Sequence, residues 1–346
     1  MKKKILSKGT AMVLSFAMLL TLASSVPVNA KETEELVAEE AIVTESLENV
    51  ANNFSKLDSD AAMDVLERLS GDESILNSLT ASGDQYEDND SPETATTGRY
   101  NLVTYATIDS DDDMDWYEMD ISDSSVPISI ILTNIPANRD YDVYLIEYSS
   151  STGYGDIYSN LEDGSVPEEL IGRVNHSGTY YVVVMPNQTI TNNYSDSNYK
   201  LYFGDYVRYK TYGYTSTGIN IDFGYVKSGN TTPVYKYWYS YNLTNSNMIP
   251  DGALVDSIYL SSDGNGNSWI GFTKMLGYGT NTTLATKSGG INLMFSAEPN
   301  AQWYHEVKQN WLIGGYLTSS MYFTWQPKMR IDYMYGVTLD NVVFVQ

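Results

Sequence analysis

Apolar and polar positions along the chain follow two different periods, and the change comes near residue 84. Before it, the apolar residues are spaced seven, four or three apart, as on one face of a helix: Leu36, Val43, Leu47, Val50, Phe54 and Leu57. Ser59 and Asp60 are suited to cap a second helix, which would end at Gly71. Residues 31–83 are therefore predicted to form an acidic helical stalk or pro-like segment, loosely docked on the next domain. A short dimerising coiled coil is the alternative.

From Asp84 onward the period is two, which predicts strands with one buried face. Tyr117, Met119 and Ile121 alternate with Trp116, Glu118 and Asp120, and similar runs come after them, separated by turn residues. Short strands at such spacing favour an antiparallel β-sandwich over residues 84–205. Residues 206–346 also alternate and are predicted to form a second, tyrosine-rich all-β domain of unknown type. The fold class predicted for the whole chain is mainly β.

Four tyrosines of the second domain stand at every second position of one predicted strand: Tyr235, Tyr237, Tyr239 and Tyr241. Such residues share one face of a strand. If that face is exposed, its rings could stack on sugars or on a fibrous protein, which makes the four tyrosines candidate ligand-binding residues. The alternative is that they only cover a sheet.

The first thirty residues have the pattern of a secretory signal peptide. Four lysines open the chain, an apolar run covers residues 11–23, and Val28-Asn29-Ala30 ends in small residues. The apolar run is shorter than the ~20 residues that span a bilayer. We therefore expect cleavage near Ala30 and a secreted, extracellular protein that is not embedded in the membrane.

The charge of the chain limits the classes of partner that it can bind. The chain has 346 residues and a net charge of −24, and its first thirty residues carry four of the 20 Lys and Arg but none of the 44 Asp and Glu, so the remainder has a charge of −28. Such a surface repels nucleic acid, which binds cationic proteins. Calcium and an extracellular protein or carbohydrate polymer are compatible partners. The chain has no cysteine and only two histidines, which argues against a zinc site.

The usual catalytic motifs are absent from the sequence. His305-Glu306 lacks the second histidine of a zinc-protease helix, and the chain has neither a Gly-x-Ser-x-Gly elbow nor a phosphate-binding glycine loop. His176 precedes a predicted strand, and His305 lies in an aromatic stretch that is typical of a packed histidine. An enzyme is therefore uncertain and not favoured. A secreted hydrolase, peptidase or glycosidase, with its site in residues 206–346 is the alternative to a binding protein.

Four stretches between residues 84 and 203 carry a family resemblance: "DQYEDNDS", "IDSDDDMDWYEMDIS", "NRDYDVYLIEY" and "HSGTYYVVVMP". Together and in this order they resemble the bacterial pre-peptidase C-terminal (PPC) domain, a relative of the collagen-binding domains of clostridial collagenases. The resemblance implies a jelly-roll-like β-sandwich and an accessory binding role. Two positions depart from the pattern: Asp88 stands where the family usually has Pro, and Gln85 where calcium-binding relatives have an acid.

The resemblance also implies a calcium site, formed by the acidic opening and the aspartate-rich turn. The matching positions are Glu87, Asn89, Asp90, Asp112 and Asp115. The chemistry of the residues agrees, since calcium takes six to eight oxygen ligands and two dense acidic runs repel each other unless a cation lies between them. A pair of solvated acidic loops is the alternative. Calcium is thus the predicted cofactor, and a calcium-stabilised, non-catalytic binding protein is the favoured function.

Overall fold

A computed structural model describes residues 47, 50–69, 84–225, 233–263, 271–279, 282–288, 293–296, 305–318 and 322–345. It contains two consecutive β-sandwiches, each made of two antiparallel sheets apart from one short parallel pair, and one α-helix. The predicted mainly-β, sandwich-type fold is confirmed. The predicted signal peptide lies outside the described residues. No helix among those residues is long and apolar enough to cross a membrane.

The described part of the first sandwich contains one helix and ten strands. They are β1 Ser55–Lys56, α1 Ser59–Leu69, β2 Thr96–Thr97, β3 Leu102–Ile108, β4 Asp115–Ile121, β5 Ile128–Thr133, β6 Tyr141–Ser149, β7 Gly153–Ser159, β8 Glu168–Gly172, β9 Gly178–Pro186 and β10 Ser195–Asp205. One sheet has the order β1-β7-β6-β9-β4-β2, and the other has the order β3-β10-β5-β8.

The alternation of apolar and polar residues in the sequence agrees with the burial observed on these strands. On β4, Tyr117, Met119 and Ile121 are buried in the core between the two sheets, whereas Glu118 and Asp120 are exposed. Trp116 points to the opposite side of the sheet and is also buried, because α1 covers it there. The one-sided burial predicted for this strand therefore holds from Tyr117 to Ile121, whereas at Trp116 the strand is buried on both faces.

The segment before residue 70 differs from its prediction. Residues 50–57 do not continue a helix: Ser55–Lys56 pairs with β7, and Phe54 lies in the core of the sandwich with 6% of its surface exposed. The Oδ1 of Asn53 accepts a hydrogen bond from the Ile171 amide of β8 at 2.5 Å. This segment is thus part of the sandwich and not a loosely docked stalk, because it supplies both core and edge-strand contacts. The other part of the predicted helical stripe, before residue 47, lies outside the described residues.

The second predicted helix is confirmed as α1, although its cap is one residue earlier than expected. The Oδ1 of Asp58 accepts hydrogen bonds from the amides of Asp60 at 3.1 Å and Ala61 at 3.0 Å. Val65 is buried on the outer face of the six-stranded sheet, together with Trp116 and Tyr181. Met63, one turn before Leu66 of the same cluster, is by contrast 59% exposed.

Among its described residues the second sandwich has nine strands: β11 Val207–Ser216, β12 Ile221–Tyr225, β13 Val234–Asn242, β14 Leu254–Asp263, β15 Phe272–Tyr278, β16 Thr282–Ser288, β17 Leu293–Ser296, β18 Asn310–Leu317 and β19 Tyr322–Gly336. One sheet has the order β11-β19-β14-β17, with β12 also on β19, and the other has the order β13-β18-β15-β16. A core containing Trp311, Trp325 and Phe272 fills the space between the sheets. A short 3-10 turn, Val342–Phe344, comes after the last strand.

The tyrosines of β13 do not form the single face predicted for them. Tyr235 is opposite Tyr316 and Tyr239 is opposite Ile313, so the strand has one extra residue between Lys236 and Tyr239. Such a bulge reverses which side of the sheet the later residues face. Tyr235 is 43% exposed, whereas Tyr239 and Tyr241 pack against the core. The side chain of Tyr237 is outside the described part of the chain.

The two sandwiches meet through shared core and main-chain contacts. Ile131 and Tyr202 belong to strands of the first sandwich but are buried in the core cluster of the second. The Tyr206 amide donates to the Pro127 carbonyl at 2.9 Å, and the Ser129 hydroxyl donates to the Val337 carbonyl at 2.9 Å. The position near residue 205 is therefore a packed junction.

Candidate metal centre

Two segments bring acidic side chains together at the start of β4. The opening segment, residues 84–90, lies beside this strand because the Trp116 amide donates to the Asn89 carbonyl at 2.9 Å. Asp84 fixes the other end of the segment: its carboxylate accepts the amides of Tyr86 at 2.8 Å and Thr107 at 2.6 Å. The turn before β4 contributes Asp113. The acidic opening and the aspartate-rich turn are thus neighbours in the fold.

Asp115 is the most deeply buried acid at this place, with no exposed surface. Its Oδ1 accepts a hydrogen bond from the Asn89 side-chain amide at 3.0 Å, and its Oδ2 accepts one from the Tyr199 hydroxyl at 2.6 Å. Tyr117 extends this network, since its hydroxyl lies 3.0 Å from that of Tyr199. Both carboxylate oxygens of Asp115 therefore face neutral donors, and no cationic side chain is among these partners.

Three further carboxyl groups converge beside this network. Each of Glu87, Asp90 and Asp113 offers an oxygen, and these oxygens lie within 4.8 Å of one another. Asp113 is 2% exposed, and its Oδ2 accepts the Asp109 amide at 2.5 Å. We call Glu87, Asp90 and Asp113 the opening cluster. Three carboxylates this close and this poorly hydrated repel one another strongly unless they are protonated or share a cation.

The opening cluster and its neighbour Asn89 contain oxygen atoms that lack a hydrogen-bond donor. Glu87 Oε1, Asn89 Oδ1 and Asp113 Oδ1 are all buried without a partner. Buried acceptors are rarely left in this way, because each costs about 1–3 kcal/mol. Three such oxygens from neighbouring positions match the carbonyl and carboxylate ligands that calcium takes in proteins. The residues present therefore fit a hard divalent cation.

The pKa values of these acids also indicate that their negative charges are poorly compensated. Burial, and then the neighbouring Asp90 and Asp84 charges, raise the pKa of Glu87 to about 7. Burial and the Asp115 charge raise the pKa of Asp113, and burial also holds the pKa of Asp115 well above its ordinary value despite the bonds from Tyr199 and Asn89. In the absence of a cation, protons are thus the species that relieve the charge of these groups.

Most of the residues predicted from the family resemblance come together here, and one does not. Glu87 and Asp90 belong to the opening cluster, and Asn89 and Asp115 hydrogen-bond each other beside it. Asp112 is exposed, whereas the next residue, Asp113, is buried in the cluster. The spacing to Asp115 is the signal that favours Asp113, because residues two apart on an extended chain face the same side.

A second group of titratable side chains also has converging atoms: Glu147, Asp156 and His176. In this group, which we call the Glu147 cluster, the oxygens have donors. Asp156 Oδ1 pairs with the Lys56 ammonium at 2.5 Å, while its Oδ2 accepts the Asn175 side-chain amide at 2.9 Å. His176 Nδ1 lies 3.3 Å from Glu147 Oε1. Burial alone would raise the pKa of Asp156, but these donors outweigh it and leave the pKa below its ordinary value.

The other histidine is a packed residue. His305 is 9% exposed, and its ring centroid lies 4.4 Å from that of Tyr278 and 5.8 Å from that of Phe295. Burial lowers its pKa, so the neutral imidazole is favoured. This is the environment expected of a histidine in an aromatic stretch.

Comparison with known proteins identifies no family. No family model matches the chain, and no curated protein matches it. An inferred secreted protein from Eubacterium rectale has a crystal structure that aligns with 68% of this chain and 74% of its own at 13% identity and a TM-score of 0.28. The VP2 subviral particle of infectious bursal disease virus aligns with 66% of this chain and 60% of its own at 10% identity and a TM-score of 0.18. At these scores, neither likeness bears on the function.

Proposed function

We propose that the chain is a secreted, non-catalytic binding protein whose first sandwich is stabilised by calcium. In this proposal the first sandwich is a PPC-type module, and the protein attaches to an extracellular protein or polysaccharide. The observation that carries the calcium site is the set of donor-less buried oxygens on Glu87, Asn89 and Asp113. Calcium would satisfy all three and would neutralise the charge of the opening cluster.

The proposed roles of the residues follow from their contacts. Glu87, Asp90 and Asp113 would supply carboxylate oxygens, and Asn89 would supply its side-chain carbonyl. Asp115 would act behind them, because its hydrogen bond orients the Asn89 amide so that the carbonyl oxygen faces away from Asp115. Bound calcium would thereby join the opening segment to the turn before β4. Its contribution here is structural, because it links two segments that are 23 or more residues apart in sequence.

The environments of the two histidines support a binding role over a hydrolytic one. His176 is a surface residue beside Glu147, and His305 is enclosed by aromatic rings. A general base needs a reachable substrate proton and a pKa near the operating pH. The lowered pKa and the burial of His305 do not favour this role, which is why we propose binding in place of histidine-based hydrolysis.

The test of the proposed function uses the purified chain including residues 50–69, because Phe54 and α1 belong to the first sandwich. Thermal melts are recorded with calcium and with chelator, and the same preparation is co-sedimented with collagen fibrils, cellulose, chitin and starch granules. The proposal predicts a higher melting temperature with calcium and retention by at least one polymer. Coincident melts would contradict the calcium site, and retention by none of these polymers would contradict the binding function.

A further inference from the structure

Strand β3 of the first sandwich has one side on which no described strand pairs with it. In its sheet, β3 lies at the end of the order β3-β10-β5-β8 and pairs only with β10. The Phe203 carbonyl of β10 accepts the Asn101 amide at 2.9 Å, so Phe203 and every second residue of β10 face β3. Their partners in the register are Leu102, Thr104 and Ala106. The main-chain groups of the intervening β3 residues therefore point away from β10, to the free edge.

The open part of this edge is short and is centred on Thr104. At one end of it, the Thr107 amide faces the free edge and already donates to the Asp84 carboxylate at 2.6 Å. The main-chain groups of Val103 and Tyr105 remain, and on this side they have no hydrogen-bond partner among the described residues. A strand added here would exchange hydrogen bonds with these two residues.

The sequence of β3 lacks the features that protect most sheet edges. Edge strands of native proteins are kept from pairing by charged side chains, proline or short length. β3 has seven residues, Leu102–Ile108, with neither a charge nor a proline. In the described part of the chain, the other strands of five or more residues with a single partner strand each contain a charged residue: β8, β11, β12, β13 and β16. β3 is therefore the least protected edge among them.

Side chains on both faces of this edge are incompletely satisfied. On the outer face, Tyr105 is 40% exposed and lines one groove with Val103 and Val343, of which Val343 is 65% exposed. On the core face, Thr104 has no exposed surface, and its hydroxyl has no hydrogen-bond partner. Buried hydroxyl groups are rarely left in this way. An added strand would cover the apolar groups on one face and could bond to the hydroxyl on the other.

We infer that β3 pairs antiparallel with β3 of a second copy of the chain, across a two-fold axis at Thr104. In this register Val103 of each copy lies opposite Tyr105 of the other, and each such pair exchanges two main-chain hydrogen bonds. A β-branched residue opposite an aromatic one is a favourable cross-strand pair. Thr104 lies opposite its own counterpart, and threonine hydroxyls in that position bond each other.

The symmetry of the open stretch selects a second copy over a different protein. A two-fold contact requires a patch that is complementary to itself. The two residues with free main-chain groups are placed evenly about Thr104, and the stretch has no charge that the axis would bring against itself. The Thr104 hydroxyl, which has no partner among the described residues, obtains one at the axis. This inference goes beyond the proposed function, because it involves no polymer ligand.

The test is sedimentation equilibrium of the full chain in calcium, over a range of protein and salt concentrations. We expect a monomer–dimer equilibrium that salt strengthens, because each copy has a net charge of −24 and salt screens the repulsion between them. Tyr105→Glu should weaken dimerisation about tenfold or more, since the change occurs twice in the symmetric pair. Tyr209→Glu is the matched control and should leave it unchanged, because Tyr209 is an exposed tyrosine on β11, another strand with a single partner.

A second measurement tests the register. The chain has no cysteine, so Val103→Cys/Tyr105→Cys places two thiols at positions that the inferred pairing sets opposite each other. Mild oxidation should link this variant into dimers, because directly opposed residues lie within disulfide distance. Tyr105→Cys alone should not be linked, since two copies of residue 105 are diagonal neighbours about 7–8 Å apart.

The remaining outcomes overturn the inference. A wild type that is monomeric at every concentration would leave the edge to an extended segment of a different protein. A dimer that Tyr105→Glu and Tyr209→Glu weaken equally would reflect added charge and not this edge. Equal linkage of the single and double cysteine variants would contradict the register. The melting temperature of each variant checks its folding, and Tyr105 is exposed enough for its replacement to leave that temperature unchanged.

Discussion

The opening cluster and the Glu147 cluster each bring their ligand atoms within 4.8 Å of one another, yet they differ in the burial of their side chains, in the donors to their oxygens and in the direction of their carboxyl pKa shifts. Asp113 of the opening cluster is 2% exposed, and Glu87 and Asp113 each have a buried oxygen with no donor. In the Glu147 cluster, Asp156 has a lysine and an asparagine as donors. Burial raises the carboxyl pKa values in the first, and donors lower that of Asp156 in the second. Proximity of acids is therefore a weak criterion for a metal site, and unsatisfied buried oxygen is a stronger one.

The largest effect we expect is the rise in Tm on adding calcium, which variants of the opening cluster should lose and a variant of the Glu147 cluster should keep. At a hundredfold excess over Kd, a ligand that binds only the folded state stabilises it by about 2.7 kcal/mol. For a chain of more than 300 residues, whose unfolding entropy is about 2.1 cal/mol/K per residue, that corresponds to a rise in Tm of about 4 °C. We expect Glu87→Gln and Asp113→Asn to abolish the rise. Glu147→Gln is the control and should retain it, so an equal loss in the control would remove the distinction.

The second prediction concerns pH in the absence of calcium. The pKa of Glu87 is raised from 4.5 to about 7 in the folded state, so between these values the folded chain binds more protons than the unfolded chain. Its contribution to stability is therefore lost as pH rises from about 4.5 to 7. In chelator, we therefore expect the Tm of the wild type to fall relative to that of Glu87→Gln as the pH rises across this interval. Saturating calcium should remove this loss of stability at pH 7, because the bound cation neutralises the Glu87 carboxylate in place of the proton. If the plots of Tm against pH for the wild type and Glu87→Gln run parallel in chelator, the raised pKa of Glu87 is contradicted.

The third prediction is that, in chelator, replacing an acid has opposite effects on the free energy of unfolding in the two clusters. Asp113→Asn should raise the free energy of unfolding, because the wild-type carboxyl is ionised in the unfolded chain at pH 7 and must take up a proton to be buried in this repulsive group, whereas the asparagine amide is neutral in both states. Asp156→Asn should lower it, but only by about 1 kcal/mol or less, because Lys56 is 54% exposed and exposed ion pairs contribute little. Chemical denaturation of both variants at pH 7 measures the two changes. Changes of the same sign would show that the clusters are electrostatically alike.

The sequence predicts the features that depend on local periodicity. The alternation of Tyr117, Met119 and Ile121 is enough to predict a half-buried strand, and the helix Ser59–Leu69 has both a cap and an apolar face. The order of the two acidic segments in the family resemblance predicts that they lie close together. The resemblance itself, the calcium and the secretion remain predictions.

Features that depend on distant partners are not visible in the local pattern. Residues 50–57 have helical spacing but are extended, because Asn53 and Phe54 contact strands more than 100 residues away. The bulge in β13 follows from its pairing with β18 and changes the face of the later tyrosines. Asp113 is different, because its spacing of two residues from Asp115 does indicate which of the two adjacent aspartates is buried, although the family resemblance points to Asp112.

Isothermal titration with calcium chloride tests the central claim most directly, using the wild type, Asp90→Asn and Asp156→Asn at pH 7. Asp90 is chosen because it belongs to the opening cluster but is less buried than Asp113, so its loss should leave the fold intact. The account predicts saturable binding in the wild type and in Asp156→Asn, and binding that is absent or at least tenfold weaker in Asp90→Asn. Wild-type binding that is undetectable, or that is unchanged in Asp90→Asn, would contradict it.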